Sequence, residues 1–282
     1  MPPPCGWRVS RQHSRRTSRT ASRVPSGGVY PATWKNATKR LRRRATLRRS
    51  VGLLSDFRFE QSEPARFYGS LARDTVELTG DLFGDLDGAL VLDVGGGPGY
   101  FEDAFAEHGA VYVPVEPDPS EAHAAGITAS RGLRGSGLAL PIADGAVDVC
   151  LSSNVAEHVR DWEAMGEEML RVTRPGGMVI LSYTLWYGPF GGHEMGQTHY
   201  LGGERAARMY TRKHGHPPKN LYGTSLFKVL ASDGLRWARR VDGADLVAAF
   251  PRYHPSWAWW MVRVPVLREL LVSNLVLVFR TH

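Results

Sequence analysis

The sequence predicts an α/β fold, a mostly parallel sheet with helices on both faces. Three observations predict it. Short apolar runs alternate with helical stretches between residues 90 and 184. Glycines crowd the turn that follows the first of these runs, in VLDVGGGPGY at 91–100. Of the 282 residues, 43% are hydrophobic, enough for one sizeable core.

The chain begins with a charge anomaly. Residues 1–50 carry 12 Arg, 2 Lys and no acid, so the remainder holds 21 basic against 28 acidic side chains, a net of −7 inside an overall +7. Residues 1–38 are expected to form a disordered Arg-rich tail, too poor in apolar residues to repay the entropy of ordering. A solvated arm is the plain expectation; an arm on nucleic acid or anionic lipid and a transit-type leader are the alternatives. The tail lacks the continuous apolar stretch of a secretory signal. The longest uncharged apolar run, Leu270–Phe279, is about half of the roughly 20 residues that span a bilayer. Cys5 and Cys150 make no disulfide framework, which suits a reducing cytoplasm.

From residue 39, Leu41, Leu47, Val51 and Leu54 predict one face of a basic helix. Pro64 opens a second helix in which Phe67, Leu71, Leu78 and Leu82 repeat the spacing. The alternation follows: LVLDV (90–94), a helix from Tyr100 to His108, VYVPV (111–115), a helix after Pro119, VDVCLS (147–152), a helix from about Asp161 to Val172, and MVILSYT (178–184). Ligands of such sheets bind beyond the carboxyl ends of the strands, where Gly95 to Gly99 lie. A dinucleotide turn needs G-x-G-x-x-G or A, and counting from Gly95 puts Tyr100 at the third small position.

What the turn does offer is an acid two residues ahead of G-x-G-x-G: Asp93, Gly95, Gly97 and Gly99. Here the sequence resembles the class I S-adenosylmethionine-dependent methyltransferases. GLALPIADGAVDVCLSSNVAEHV and EEMLRVTRPGGMVILS extend the resemblance to the type 11 group. The sequence also resembles uncharacterised actinobacterial members that share the GGHEMG-x-THYLGG and FPRYHP-x-WAWW stretches. The resemblance implies a Rossmann-like, doubly wound, seven-stranded and mostly parallel sheet, with its last strands near Leu246–Phe250 and Asn274–Phe279. The methyltransferase domain would span 39–282, with a cofactor-binding core at 85–184, an acceptor cap inserted after the fifth strand at 185–224, and C-terminal helices and strands at 225–282.

The resemblance also implies S-adenosyl-L-methionine as cofactor. Glycines let the backbone approach it without a Cβ clash, and the Asp93 carboxylate suits its ammonium. Glu116, 23 residues beyond Asp93, is placed to accept from both ribose hydroxyls. Ser136 stands where the family often has an acid for the adenine amino group, with Asp148 as the substitute if the register shifts. The Gly137 NH is matched to a ring nitrogen, and Asn154 follows the fourth strand. Methyl transfer is a direct in-line displacement, so catalysis is mainly positioning, with a general base needed only for an acceptor of high pKa. The base candidates are His193, His199 and His158, the first two favoured. The H-E-x-x-x-x-H spacing of His193, Glu194 and His199 is not the helical pair of zinc hydrolases, so no metal is expected.

The expected acceptor is a small molecule or lipid with a receiving oxygen, nitrogen or carbon. Trp257, Trp259, Trp260, Met261 and Val262 read either as core or as an interfacial segment that gives a cytoplasmic enzyme peripheral membrane contact. A nucleic-acid methyltransferase gripping phosphates with the tail and a non-catalytic cofactor-binding regulator are the rival readings. The acidic body speaks against the first.

Overall fold

The computed structural model describes residues 32–57, 59, 63–97, 99–118 and 132–282. The tail over 1–31 and the helix expected after Pro119 lie outside the described residues.

Seven strands form one sheet: β1 (Leu90–Val94), β2 (Val111–Glu116), β3 (Leu133–Arg134), β4 (Val147–Ser153), β5 (Thr173–Thr184), β6 (Ala244–Pro251) and β7 (Asn274–Thr281). Their order is β3-β2-β1-β4-β5-β7-β6, parallel throughout except for β7. The chain starts at β1, runs outward to β3 and then returns to β4 on the other side. The crevice between the carboxyl ends of β1 and β4 is therefore the topological switch point. Strand residues alternate between two cores, as a period of two dictates. Leu92, Cys150, Val179 and Leu277 pack with Trp162, Met165 and Met169 of α5 (Trp162–Val172) and Trp237 of α7 (Ala231–Trp237). Val91, Val149, Ile180 and Val276 face the opposite way, onto α1 (Ala32–Arg44), α3 (Pro64–Phe83) and α4 (Glu102–Ala106).

The N-terminal helices correct two expectations. One basic helix was expected from residue 39; the structure has α1 beginning at Ala32 and α2 spanning Leu47–Phe57, broken at Ala45–Thr46. The break resets the helical phase. Ala37, Leu41, Ala45 and Leu53 are buried, whereas Leu47, Val51 and Leu54 are exposed. Electrostatics hold this pair: Arg44 of α1 pairs with Asp81 and Glu77, and Arg49 of α2 binds Asp74 at 2.5 and 2.8 Å. In α3 the expected face holds, with Pro64 in the first turn and Phe67, Leu71, Leu78 and Leu82 buried.

Two further boundaries move. α4 is shorter than the expected Tyr100–His108 helix. The Arg-Pro-Gly-Gly segment, which falls between the expected helix ending at Val172 and the expected strand from residue 178, is a bulge inside β5: pairing steps from Val147–Thr173 to Val149–Met178, with Gly176 at φ 77°. After β5 the chain builds a small separate core of Trp186, Met195, Ala206 and Leu226 around a 3-10 segment, His193–Leu201, and α6 (Gly203–His214). The C-terminal aromatic segment is a 3-10 helix, Ser256–Arg263, before α8 (Pro265–Leu270). Met261 and Val262 are buried and Trp259 stacks on Phe250, but Trp257 and Trp260 are 71% and 53% exposed, so the core reading fails for them. Among the described residues no helix is long and apolar enough to cross a membrane.

Candidate active site

The glycine turn leaves β1 at the switch point. Gly95, Gly97 and Gly99 have φ of 78°, 56° and 89°, conformations that a residue with a Cβ adopts at a cost. A side chain at Gly95 would also run into Val155. At Gly97, by contrast, nothing lies within 4 Å of where a Cβ would project. Gly97 thus presents bare backbone to open space beside the sheet.

Two acids flank it. Asp93 is 2% exposed. Its Oδ2 accepts a 2.5 Å hydrogen bond from the Tyr112 hydroxyl, while the buried Oδ1 has no donor. Burial pushes the Asp93 carboxyl up to about 7; the Tyr112 bond opposes this, nearby Glu116 adds to it and Arg252 opposes it. Glu116, at the end of β2, accepts from the Gly97 NH at 2.5 Å through Oε1 and so clamps the turn. Gly135 NH bonds to the Glu116 carbonyl at 2.9 Å, which brings the next candidates alongside. Ser136 is exposed and accepts from Leu138 NH at 3.2 Å; Gly137 fits tightly between Val94 and Met165. Asp148 is out of reach as a substitute for Ser136. It lies at the amino end of β4, held by Leu90 NH and Arg174, and those hydrogen bonds outweigh burial and lower its pKa.

Beneath the strand ends lies a buried polar network. Arg252, 2% exposed, donates to Thr75 at 2.6 Å and Asp74 at 3.4 Å on α3, and to Ser153 and Ser182 on β4 and β5. Asp74 also receives Arg49. One carboxylate therefore joins the covering helices to the site end of the sheet.

The other side of the crevice holds the histidines. Among the described residues only Asn154 (φ 58°) and His193 (φ 47°) have positive φ without being glycine. Both are candidates from the sequence, and such conformations collect at functional sites. Asn154 accepts from Asn274 at 2.7 Å. The GGHEMG turn aims His193: Gly191 lies against the Leu185 and Trp186 carbonyls and Gly192 against the Gly196 carbonyl, leaving no room for a Cβ at either. His158 meets His193 edge to face at 5.0 Å between ring centroids. Burial lowers the His193 pKa, and Glu157 works in the other direction. Beside them Glu157 is 1% exposed, with Oε1 accepting from Thr184 NH at 3.1 Å. His199 does not join this pair by contact. It is fully buried, bonds to the Gly196 carbonyl at 2.7 Å and packs on Trp186 and Tyr200, so it belongs to the cap core. Glu194 turns away to Asn220.

A methyltransferase-domain family profile matches residues 92–181, from β1 to β5. A protein of Mycobacteroides abscessus described as an uncharacterised methyltransferase is 67% identical over 249 residues, covering 84% of this chain and 95% of that protein. A counterpart of the same description in Mycobacterium marinum is 63% identical over 251 residues, covering 86% and 97%. The chain belongs to this methyltransferase family. Among solved structures, an S-adenosylmethionine-dependent methyltransferase of Mesorhizobium loti is similar over 70% of this chain and 92% of that one, at 19% identity and a TM-score of 0.44.

Three parts of the candidate site were not legible in the sequence. Tyr112 looked like an ordinary strand residue; its place two residues before Pro114 in VYVPVE gives no sign of Asp93. Arg252 stood in plain view in FPRYHP, but its partners come from three other elements. Glu157 was passed over beside His158, although a carboxyl next to histidine after a strand end was the available signal.

Proposed function

We propose that this methyltransferase binds S-adenosyl-L-methionine over the Gly95–Gly99 turn and methylates a hydrophobic small molecule or lipid seated between that turn and the cap. The observation that carries the reading is the bare turn itself: three positive-φ glycines, open space at Gly97 and a buried Asp93 oxygen lacking a donor. A cationic amino-acid head group satisfies that arrangement, whereas a pyrophosphate would meet two acids. When bound, the cofactor supplies a methyl carbon made electrophilic by the sulfonium.

The chain's own residues bind and orient. Glu116 sits where ribose hydroxyls would find an acceptor, Ser136 and Gly137 follow as the adenine side, and Asn154 lies at the end of β4. Glu157, His158 and His193 are the polar groups on the acceptor side, with Nε2 of His193 free of any partner. His199 supports the cap rather than the acceptor. The apolar character of the acceptor is inferred from Trp257 and Trp260, which are exposed and line one groove with Arg263 and Arg268. Such a surface attracts amphipathic anionic ligands and membrane faces.

Incubation of a cell extract with isotope-labelled methyl donor tests the reading. Label is expected in an organic-soluble product and should vanish with Gly97→Val. Label in nucleic acid would favour the tail-gripping alternative. Cofactor binding with no labelled product from any fraction would favour a regulator.

A further inference from the structure

We propose that Glu157, His158 and His193 form a binding site for one divalent first-row transition-metal ion on the acceptor side of the crevice. This deepens the methyl-transfer reading, on which only the ion's catalytic use rests. Each of the three residues offers one ligand atom, and these atoms lie within 4.8 Å of one another. They come from separate places in the chain, the 3-10 turn Ala156–His158 after β4 and the GGHEMG turn after β5, so the fold assembles the set and helical spacing could not announce it.

Two further observations point to a ligand. Glu157 Oε2 and His193 Nε2 are both buried and have no hydrogen-bond partner. A buried carboxylate oxygen and an imidazole nitrogen left bare cost free energy unless something occupies the space between them. Second, His158 Nδ1 lies 2.6 Å from the Ser225 carbonyl. A carbonyl only accepts, so Nδ1 carries the hydrogen and Nε2 keeps its lone pair, the arrangement by which metal-ligating histidines are oriented. Glu157 is fixed likewise through Oε1, and its own carbonyl accepts from Phe227 NH at 2.8 Å.

The donor set selects the ion. Two imidazoles and one carboxylate suit Zn²⁺ and its neighbours rather than Mg²⁺ or Ca²⁺, which favour all-oxygen shells. Tetrahedral Zn²⁺ with bonds of about 2.0–2.1 Å holds its ligands about 3.3 Å apart, so side-chain adjustments of the order of an ångström close the triad. Three protein ligands leave at least one position open. A hydroxyl, carboxylate or carbonyl oxygen of the acceptor fits there, and the ion rather than an imidazole then lowers the proton affinity of a bound hydroxyl.

The test uses the full chain, stripped with chelator and dialysed against Zn²⁺, with metal counted by mass spectrometry. One Zn²⁺ per chain is expected, and Co²⁺ in its place should give visible absorption of a low-symmetry site. Glu157→Gln keeps an oxygen for Thr184 NH and removes the charge; it and His193→Ala should each lose the stoichiometric ion. His214→Ala/His216→Ala, on an exposed histidine cluster in the cap, should retain it. Circular dichroism and cofactor titration of the same variants report folding and the methyl-donor site, so failure of either is seen apart from failure to bind metal. No stoichiometric Zn²⁺ in the parent chain, or Zn²⁺ that survives the triad substitutions, overturns the proposal.

Discussion

Tyr112 on β2 donates its hydroxyl hydrogen to Oδ2 of Asp93 on β1 across 2.5 Å, leaving Oδ1 as a buried oxygen without a donor. The bond fixes the carboxyl of the glycine motif from below while burial keeps its pKa near 7.

That relationship sets a pH dependence. Tyr112, Glu116, Arg252 and Cys150 are the titratable groups whose charges reach Asp93. A folded-state value raised from 3.8 to about 7 means that the folded chain holds this proton more tightly than the unfolded one, so the group's stabilising contribution is present below about 4 and is lost as pH rises through about 7. A cationic ligand reverses the preference. Cofactor affinity should rise with pH below about 7, by at most about tenfold per unit for one proton, and binding should release a proton. Calorimetry in buffers of different ionisation enthalpy reads the release, and Tyr112→Phe should move the profile to higher pH. A flat profile from pH 6 to 8 contradicts this account of Asp93.

Glu116→Ala removes the clamp on Gly97 NH together with the acceptor proposed for the ribose. Cofactor binding should weaken by about 1–3 kcal/mol, the cost of losing hydrogen bonds to a charged acceptor, with the melting temperature little changed. An unaltered affinity would show that Glu116 serves the turn alone.

Asp74→Ala would leave the buried guanidinium of Arg252 and the partly buried one of Arg49 without their shared carboxylate. Loss of one partner from a buried charge network costs about 3–5 kcal/mol. Denaturant unfolding should show a loss of this size, and a loss below about 1 kcal/mol would mean that water replaces the carboxylate.

Removal of residues 1–31 should leave melting temperature and cofactor affinity unchanged, since that Arg-rich, acid-free segment has no apolar period with which to join a core. Removal through Arg44 should lower the melting temperature, because Ala37 and Leu41 are buried and Arg44 pairs with Asp81. A drop with the shorter deletion would show that the tail packs on the domain.

The chain lacking residues 1–31 is also expected to sediment with vesicles containing anionic phospholipid, and Trp257→Ser/Trp260→Ser to abolish this. These two indoles are the exposed part of the aromatic segment. Absence of sedimentation together with unchanged Trp fluorescence would leave a soluble acceptor.

The sheet was legible because its strands are apolar runs separated by helical periods, and the resemblance supplied the strand count and the two C-terminal strands; the order and the reversal of β7 come from the structure. Leu47, Val51 and Leu54 misled because periodicity counted across the Ala45–Thr46 break assigns a face that two short helices do not share. The glycine turn and Glu116 were legible because local spacing carries them. Tyr112, Arg252 and Glu157 were not, because their meaning lies in contacts across elements: Asp93 is 19 residues from Tyr112, and Thr75 is 177 residues from Arg252. His199 was favoured over His158 as a base because proximity in sequence to His193 stood in for proximity in space; the fold places His158 against His193 and seals His199 in the cap.

The Asp93–Gly99 turn is proposed to hold S-adenosyl-L-methionine and no dinucleotide. Isothermal titration of the parent chain and of Gly97→Val with S-adenosyl-L-methionine, its demethylated product and NAD tests it most directly. Saturable binding of the first two ligands to the parent is expected, with none of NAD and loss of both by Gly97→Val in a chain that melts as a folded protein. Saturable NAD binding without response to the methyl donor, or undiminished methyl-donor binding by Gly97→Val, would contradict it.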